Sequence, residues 1–263
     1  MQPAPLVRLL RIVRTLENWR AVRSAARAQR PIPLLRLRGG LVIGHAPEDV
    51  PYDVFHEVFI QRLYVGGGFY RPRPHHVILD GGAHIGFFAL HLAWLTPGVR
   101  VHCFEPAPAT RTRLAANLAR NRLERTITVH PYALLDREAT LPLRLSTLSG
   151  NHSLFDRPDA SADPPELVRS LSLGMALDLC GTPVALLKLD VEGAEVEILE
   201  GADDATLARV ARVALEYHDF LRPGCRARVE RRLVRAGFTH IETVPTAMDG
   251  TIGILRAARV PSV

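Results

Sequence analysis

The chain has 263 residues, of which 47% are apolar, and this is enough for one large domain with a substantial core. No apolar run reaches the roughly 18–20 residues that cross a bilayer, which excludes an apolar membrane-spanning helix. The net charge is +6, and Lys188 is the only lysine, so arginine supplies the other positive charges. Basic charge alone is equally compatible with a nucleic acid, a membrane surface or an acidic carrier protein as partner.

The first residues and the cysteines give information about the cellular location of the protein. Residues 1–5 lack a signal peptide's order of charge, apolar core and small-residue cleavage site. Cys103, Cys180 and Cys225 lie far apart, without the paired spacing of a zinc site, and we interpret them as reduced thiols. Both observations predict a cytoplasmic protein.

The first part of the chain, residues 1–74, contains few residues that could form a core of its own. Apolar spacing predicts an amphipathic helix over 6–30, a short strand over 42–44 and a second helix over 52–64. We therefore predict a helical N-terminal extension that packs on the main domain. Two interpretations of its arginine-rich helix stay open: docking on a membrane surface or acidic partner, or ordinary packing with solvated arginines.

The glycine-rich stretch at residues 77–88 is the most informative part of the sequence. A short apolar run ends in Asp80, turns through Gly82 and Gly86, and continues on a helical pattern. Glycines in such a turn let the backbone approach a nucleotide-like ligand closely. The next strand, over 100–104, is followed by Glu105, roughly 20 residues after the glycines, where a carboxylate suits two ribose hydroxyls.

After residue 80, predicted strands and helices alternate along the chain. Short strands near 132–145 are followed by a loop over 146–165 that is rich in Ser, Gly, Asp and Pro. The remaining predictions are helices over 87–95, 108–121, 194–200 and 224–236, and strands over 126–130, 184–189, 210–217, 238–244 and 250–256. This alternation predicts one α/β domain over residues 75–263, built on a mostly parallel sheet covered on both faces.

A third carboxylate, Asp190, stands where the buried strand 184–189 runs out toward a helix. Ligands of open α/β sheets bind beyond the carboxyl ends of the strands, so Asp80, Glu105 and Asp190 are predicted to project into one site. Helix capping would explain any one of the three acids. Glu195 and Glu197 have a simpler explanation, because acids at a helix N-terminus favour its dipole.

These residues together resemble the FkbM-type S-adenosylmethionine-dependent methyltransferases over about residues 77–218. The motifs that carry the resemblance are the glycine turn with Phe87-Phe88, Phe104-Glu105-Pro106, Asn117 and Asn121, Leu177-Asp178-Leu179, the run from Lys188 to Glu195, and Glu216-Tyr217-His218. The resemblance implies a class I methyltransferase (Rossmann-like) fold, an α/β fold whose seven-stranded sheet ends in a reversed hairpin. It also implies methyl transfer, usually to a hydroxyl of a small molecule, sugar or natural-product intermediate.

The resemblance further implies S-adenosyl-L-methionine as the cofactor. Gly82 and Gly86 would admit its methionine portion, and Glu105 would hold the ribose hydroxyls. Asp80 would orient the glycine loop or meet the cofactor amino group through water. His84 stands where the family often has asparagine. Since both side chains donate hydrogen bonds, we expect cofactor binding to be retained and His84 to add pH sensitivity.

Methyl transfer from a sulfonium to a hydroxyl needs a positioned acceptor and removal of its proton. Asp190, at its strand end, is the first choice as base. His218, which Glu216 could orient, and His152, on a loop long enough to cover a substrate, stay open as alternatives. Asp190 and Glu192 could hold Mg²⁺, but the sequence shows no third ligand, so no metal is expected.

Three rival functions are weighed against methyl transfer to a small molecule. A nicotinamide-dependent oxidoreductase has G-x-G-x-x-G spacing, whereas Gly82 and Gly86 are four apart with His84 between them. A nucleic-acid methyltransferase is disfavoured because Glu166 replaces the aromatic residue after Asp-Pro-Pro at 163–165, and 6% aromatic content leaves few stacking platforms. A non-catalytic protein that docks a carrier domain would not need carboxylates at three strand ends.

Overall fold

The computed structural model describes residues 5–156, 160–181 and 183–259. Its α-helices are α1 (Pro5–Thr15), α2 (Trp19–Arg27), α3 (Pro51–Phe55), α4 (Phe87–Leu95), α5 (Pro108–Asn121), α6 (Leu173–Cys180), α7 (Glu195–Gly201), α8 (Asp204–Ala208) and α9 (Cys225–Arg235). Its strands are β1 (Leu35–Arg36), β2 (Val42–Ile43), β3 (Val77–Gly81), β4 (Arg100–Phe104), β5 (Ile127–His130), β6 (Tyr132–Leu135), β7 (Ala139–Leu143), β8 (Glu166–Ser172), β9 (Leu186–Leu189), β10 (Arg212–His218), β11 (His240–Pro245) and β12 (Ile252–Ala258).

A seven-stranded sheet forms the centre of the molecule, in the order β11-β12-β10-β9-β3-β4-β5. Strand β12 runs antiparallel to both of its neighbours, and the strands from β10 to β5 are parallel. Strands β3 and β9 are buried along their whole length, as expected for apolar runs covered on both faces. The predicted mostly parallel α/β sheet with a reversed hairpin is therefore confirmed.

The strand order reverses between β3 and β9, and the candidate ligand site lies at this reversal. From β3 the chain proceeds outward through β4 to β5, and it later returns to the other side of β3 as β9. In open α/β sheets such a switch point leaves a crevice beyond the carboxyl ends of the strands. Asp80, Glu105 and Asp190 lie at the carboxyl ends of β3, β4 and β9, three adjacent strands of this sheet.

A smaller three-stranded sheet has the order β6-β8-β7. The short strands expected near 132–145 are present as β6 and β7, but they do not pair with each other. Strand β8 lies between them, parallel to β6 and antiparallel to β7. Neither β8 nor the following α6 was predicted, because pairs such as Leu141 with Val168 join residues far apart in sequence.

The N-terminal segment differs in detail from its prediction. The helix expected over 6–30 is divided into α1 and α2, because Leu16 forms a β-bridge with Leu37. The side chain of Asn18 also donates to the carbonyl of Leu34 and accepts the N–H of Arg36 in β1, which stops the helix. The helix expected over 52–64 is α3 followed by a π-helical turn over His56–Gln61.

This segment packs on the α/β domain through shared core and paired amides. Ile12 of α1, Val22 of α2 and Leu16 between the two helices belong to the same core cluster as the buried apolar residues of α4. Asn117 of α5 donates to the carbonyl of Gly44 and accepts from its N–H, at 2.9 and 2.8 Å. Asn121 bonds Val42 in the same way. The two asparagines of the family motif thus hold β2 against α5.

Two further properties are plain from the described residues. Among them, no helix is both long enough and apolar enough to cross a membrane. The three cysteines are free thiols with buried side chains.

Candidate active site

A cavity of about 400 Å³ opens beyond the carboxyl ends of the central strands. Its walls come from the segment before β3, the glycine loop, the end of β4, strand β6, the loop after β7, and the ends of β9 and β10. The polar groups among its lining residues are Glu57, Tyr64, His84, Glu105, Ser149, Asn151, His152, Lys188, Asp190, Glu192, Glu216 and His218. The cavity therefore contains the sequence-predicted site residues His84, Glu105, Asp190, His218 and His152, together with Gly82 of the glycine loop.

Asp80 lies behind the glycine loop and outside the lining of this cavity. It is fully buried, and its Oδ1 is 3.1 Å from Nζ of Lys188. The same ammonium donates to the carbonyls of Gly82 and Gly81, at 2.8 and 3.3 Å. Burial lowers the pKa of Lys188, but Asp80 and Asp190 outweigh burial and raise it. Asp80 therefore contacts the glycine loop indirectly, through the ammonium of Lys188.

The glycines of the loop are required by close packing inside the protein. A Cβ on Gly82 would stand 1.8 Å from the carbonyl oxygen of Asp190, and one on Gly86 would stand 2.5 Å from Leu114. Both residues also have positive φ, at +70° and +94°. His84, with φ of 53°, is in the left-handed region as well, and histidine and asparagine adopt this region more readily than most residues.

Glu105 forms the polar wall at one end of the cavity. Its Oε2 accepts the backbone N–H of His84 at 2.8 Å, and its Oε1 accepts that of Ala107 at 3.0 Å. Burial raises the pKa of Glu105, and the two backbone hydrogen bonds oppose that rise. Each carboxylate oxygen keeps a second lone pair, so the two hydroxyls of a diol could each donate a hydrogen bond to one oxygen. The neighbouring lining is apolar and suits a flat ring, with Phe104, Ala133, Leu134 and Leu143.

His84 connects the glycine loop to two other walls of the cavity. Its Nε2 is 2.6 Å from Oγ of Ser149, on the loop after β7. The same nitrogen is 3.4 Å from Oδ1 of Asp49, a fully buried carboxylate of the N-terminal segment. Asp49 also accepts a 2.8 Å hydrogen bond from Arg113 of α5. This end of the cavity is therefore closed by side chains from three distant segments.

Asp190 lines the cavity at the carboxyl end of β9, on the other side of β3 from Glu105, and the part of the cavity around it is called the Asp190 end. Its Oδ2 accepts a 2.9 Å hydrogen bond from the phenol of Tyr64 and lies 3.7 Å from Nζ of Lys188. Burial alone would raise the pKa of Asp190, but the charges of Lys188 and His218 and the Tyr64 hydrogen bond lower it. Asp190 is therefore an anion at neutral pH with its charge beside the cavity.

Two further carboxyl groups lie next to Asp190 and are less acidic. Burial and the adjacent Asp190 raise the pKa of Glu216 well above its ordinary value, and a side-chain hydrogen bond joins the two carboxyl groups. Burial and Asp190 also raise the pKa of Glu57, to about 7. Carboxylates this close cannot all ionise, and Asp190 keeps the charge because Lys188 and Tyr64 stabilise it.

His218, at the end of β10, lies between two other carboxylates. Its Nδ1 is 3.0 Å from Oε1 of Glu195, and its Nε2 is 3.4 Å from Oε2 of Glu192. Burial lowers the pKa of His218, but Glu195 and Glu192 outweigh burial and raise it to about 10. In this state His218 is a cation at neutral pH and cannot accept a proton.

His152, the third candidate base, lies on the loop after β7. Its Nδ1 accepts the backbone N–H of Ser146 at 3.0 Å, which fixes the ring within the loop. The side chain lines the cavity together with Asn151 and Leu154 of the same loop. All three predicted bases therefore border one cavity, and their charge states differ.

Sequence reasoning missed several groups of this site. Tyr64 and Glu57 belong to the N-terminal segment, and nothing in their local pattern indicates a contact with the end of β9. Glu195 was interpreted as an ordinary acid at a helix N-terminus, but it is fully buried and paired with His218. Glu216 was expected to orient His218, whereas its hydrogen bond goes to Asp190.

Comparison with known proteins places these features in a family. The family model described as the methyltransferase FkbM domain matches residues 80–242. The 31-O-demethyl-FK506 methyltransferase FkbM of Streptomyces tacrolimicus is 30% identical over 247 residues, which cover 84% of this chain and 94% of that protein. Methyltransferase sdnD of Sordaria araneosa is 30% identical over 190 residues, covering 61% of this chain and 73% of that protein.

A solved structure supports the same fold. The crystal structure of methyltransferase FkbM from Methylobacillus flagellatus KT matches with a TM-score of 0.56 and 16% identity over 96% of this chain. The match spans 58% of that longer chain. At this identity the likeness concerns the fold alone, and the fold is that of a class I methyltransferase.

Proposed function

The chain belongs to the FkbM methyltransferase family, and from this premise we propose that it transfers a methyl group from S-adenosyl-L-methionine to a hydroxyl oxygen of a small molecule, sugar or natural-product intermediate. Oxygen as the acceptor is supported by the Streptomyces relative, whose name describes the methylation of 31-O-demethyl-FK506. The acceptor of that relative is not assigned to this chain.

The chemistry of the Glu105 end supports the cofactor. An acceptor-only carboxylate suits two ribose hydroxyls, and the apolar wall of Phe104 and Leu143 beside it suits a purine ring. The backbone of the glycine loop, held by Lys188, borders the same space. When bound, the cofactor supplies an electrophilic methyl group on a sulfonium. Its amino-acid portion would lie along the glycine loop, where Gly82 exposes backbone.

The proposal is supported most by one continuous cavity that has two differently lined sides. At one end stands Glu105 with apolar neighbours, and at the other stands Asp190 with Tyr64 and Lys188. A donor bound at the first end and an acceptor bound at the second would meet between them. Methyl transfer is an in-line displacement, so holding two reactants in one enclosed space contributes much of its rate enhancement.

Asp190 is the group that we propose receives the hydroxyl proton. It is ionised, it lines the cavity, and Tyr64 fixes its orientation. The protonated His218 and the ammonium of Lys188 lie nearby and stabilise negative charge on an acceptor oxygen. His152 remains a second candidate for proton removal, because its loop borders the Asp190 end.

Isotope labelling tests both the donor and the acceptor atom. The protein is incubated with S-adenosylmethionine labelled with ¹³C in its methyl group and with a panel of hydroxyl, amine and thiol compounds. We expect release of S-adenosylhomocysteine and ¹³C methyl signals of O-methyl ethers or esters. Methyl transfer only to nitrogen or sulfur would contradict oxygen as the acceptor.

A further inference from the structure

Three metal-ligating side chains meet at the Asp190 end of the cavity. One ligand atom each from Asp190, Glu192 and His218 lie within 4.8 Å of one another. Ligand atoms around a cation at about 2.1 Å stand roughly 3.0–4.3 Å apart, so small rotations would bring all three onto one ion. We propose that these three side chains bind one divalent cation of the Mn²⁺ or Mg²⁺ type.

The setting of His218 distinguishes this group from a cluster of acidic side chains. The ring is 3% exposed, and its Nδ1 lies 3.0 Å from the fully buried Glu195, which leaves Nε2 facing Glu192. Glu195 also accepts the backbone N–H groups of Val191 and Gly193. Histidines that bind metals commonly give their second ring N–H to a carboxylate in this way, which fixes the ring and its tautomer.

The third ligand, His218, lies on a different strand from the one that the other two follow, so sequence spacing did not indicate a metal site. Asp190 and Glu192 lie in the turn after β9, and His218 ends β10, which pairs in parallel with β9. The fold therefore supplies the third ligand from a neighbouring strand. An ion bound there would be held by Nε2 of His218 and Oε2 of Glu192, which lie 3.4 Å apart.

The charges around the cluster favour a cation. Asp190, Glu192 and Glu195 together provide three carboxyl groups close to the imidazole of His218. A metal ion would bind His218 in its neutral form, and the nearby ammonium of Lys188 lies 3.7 Å from Asp190 but 3.1 Å from Asp80. Because Asp80 compensates the ammonium, an excess of negative charge remains at the cluster.

The ligand set also indicates the class of cation and what the cation would do to a bound hydroxyl. Two carboxylates and one imidazole suit Mn²⁺ and tolerate Mg²⁺, while softer ions prefer thiolates. Three protein ligands leave coordination positions open toward the cavity. An acceptor hydroxyl bound there would lose its proton more easily. This consequence rests on the proposed methyl transfer, whereas binding of the ion does not.

Mn²⁺ alone, titrated into the full chain without cofactor, tests the site. The electron paramagnetic resonance signal of free Mn²⁺ gives the dissociation constant and stoichiometry. We expect one site in the wild type, weakened at least about tenfold in Glu192→Gln and on the order of 10- to 100-fold in Glu195→Gln. Glu200→Gln is the matched control, because Glu200 is exposed on α7 and pairs with Arg228.

The outcomes separate the metal site from the proposed function. Absence of a wild-type site, or equal affinity in wild type, Glu192→Gln and Glu200→Gln, would overturn the proposal. The same samples are titrated with S-adenosylhomocysteine, which also reports that Glu192→Gln is folded. Intact binding of S-adenosylhomocysteine without Mn²⁺ binding rejects the metal site alone. Mn²⁺ binding without S-adenosylhomocysteine binding contradicts the proposed function alone.

Discussion

The phenol of Tyr64 donates a 2.9 Å hydrogen bond to Oδ2 of Asp190, across 126 residues of chain. It joins the N-terminal segment to the end of the central strand β9. Burial and Asp190 raise the pKa of Tyr64 well above its ordinary value, so the phenol keeps its proton and remains a donor. The segment before the α/β domain therefore supplies part of the cavity wall beside Asp190.

Replacing Tyr64 by Phe removes this hydrogen bond and leaves the ring in place. A hydrogen bond to a charged group contributes roughly 1.5–3 kcal/mol, so we expect kcat to fall roughly 10- to 100-fold. The affinity for S-adenosylhomocysteine should not change. Tyr70→Phe is the matched control, since Tyr70 bonds His76 and does not line the cavity. Wild-type kcat in Tyr64→Phe would show that the phenol does not position Asp190.

Replacing Asp190 by Ala should abolish turnover, with a loss on the order of 10²–10⁴-fold that is typical of a general base. Binding of S-adenosylhomocysteine should remain largely intact, because Asp190 lies at the end of the cavity opposite Glu105. Asp178→Ala is a suitable control, since Asp178 is an exposed partner of Arg209. Turnover at the wild-type rate in Asp190→Ala would remove Asp190 from the mechanism.

The glycine loop can be tested by adding one methyl group. Gly82→Ala places a Cβ 1.8 Å from the carbonyl oxygen of Asp190, on a backbone with φ of +70°. Gly181→Ala shares a positive φ of +68° but has open space around its Cβ. We expect Gly181→Ala to lose about 1–2 kcal/mol in urea unfolding, from the left-handed conformation alone. Gly82→Ala should lose more than about 4 kcal/mol or fail to fold. Equal losses in the two variants would mean that the loop can move away from β9.

His91 predicts a loss of stability in acid. It is buried on α4 beside Phe59 and Trp94, and burial, with a smaller effect of Arg62, lowers its pKa to about 3. An unfolded histidine binds a proton below about pH 6.5, whereas native His91 stays neutral until about pH 3. The unfolded state therefore binds more protons in this window, and stability falls as pH falls.

The expected size of this effect is roughly 2–3 kcal/mol of unfolding free energy between pH 7 and pH 4.5. Urea unfolding of His91→Leu at both pH values should show a smaller difference than the wild type by about that amount. His240→Leu, a change of an exposed histidine on β11, should keep the wild-type difference. An unchanged pH dependence in His91→Leu would contradict the assignment to His91.

Local patterns predicted the elements that build the glycine loop. The helix over 87–95, the strand over 100–104 and the helix over 108–121 have the bounds of α4, β4 and α5. Gly86 and Pro108 mark the beginnings of the two helices, as their fixed or permissive backbones require. These elements are set by periodicity and turn residues within short windows, and their carboxylate Glu105 could therefore be placed from sequence.

The surroundings of Asp190 and His218 could be predicted only in part, because they are assembled from distant segments of the chain. Asp190 and His218 were visible as polar residues at strand ends. Tyr64 reaches the site through the fold of the N-terminal segment. Glu195, the first residue of α7, reaches His218 because β9 and β10 are neighbours in the sheet. No window of sequence contains both members of either pair. The same limit hid strand β8, because its partners β6 and β7 both lie on the other side of a long loop.

Calorimetric titration with S-adenosylhomocysteine measures whether the cofactor binds at Glu105. We predict one site in the wild type, no binding of NADH, and a large loss of affinity in Glu105→Ala, with the exposed Glu124→Ala behaving as wild type. Wild-type affinity in Glu105→Ala would contradict the role of Glu105. No binding of S-adenosylhomocysteine to the wild type, or tighter binding of NADH, would contradict both the proposed cofactor and the proposed methyl transfer.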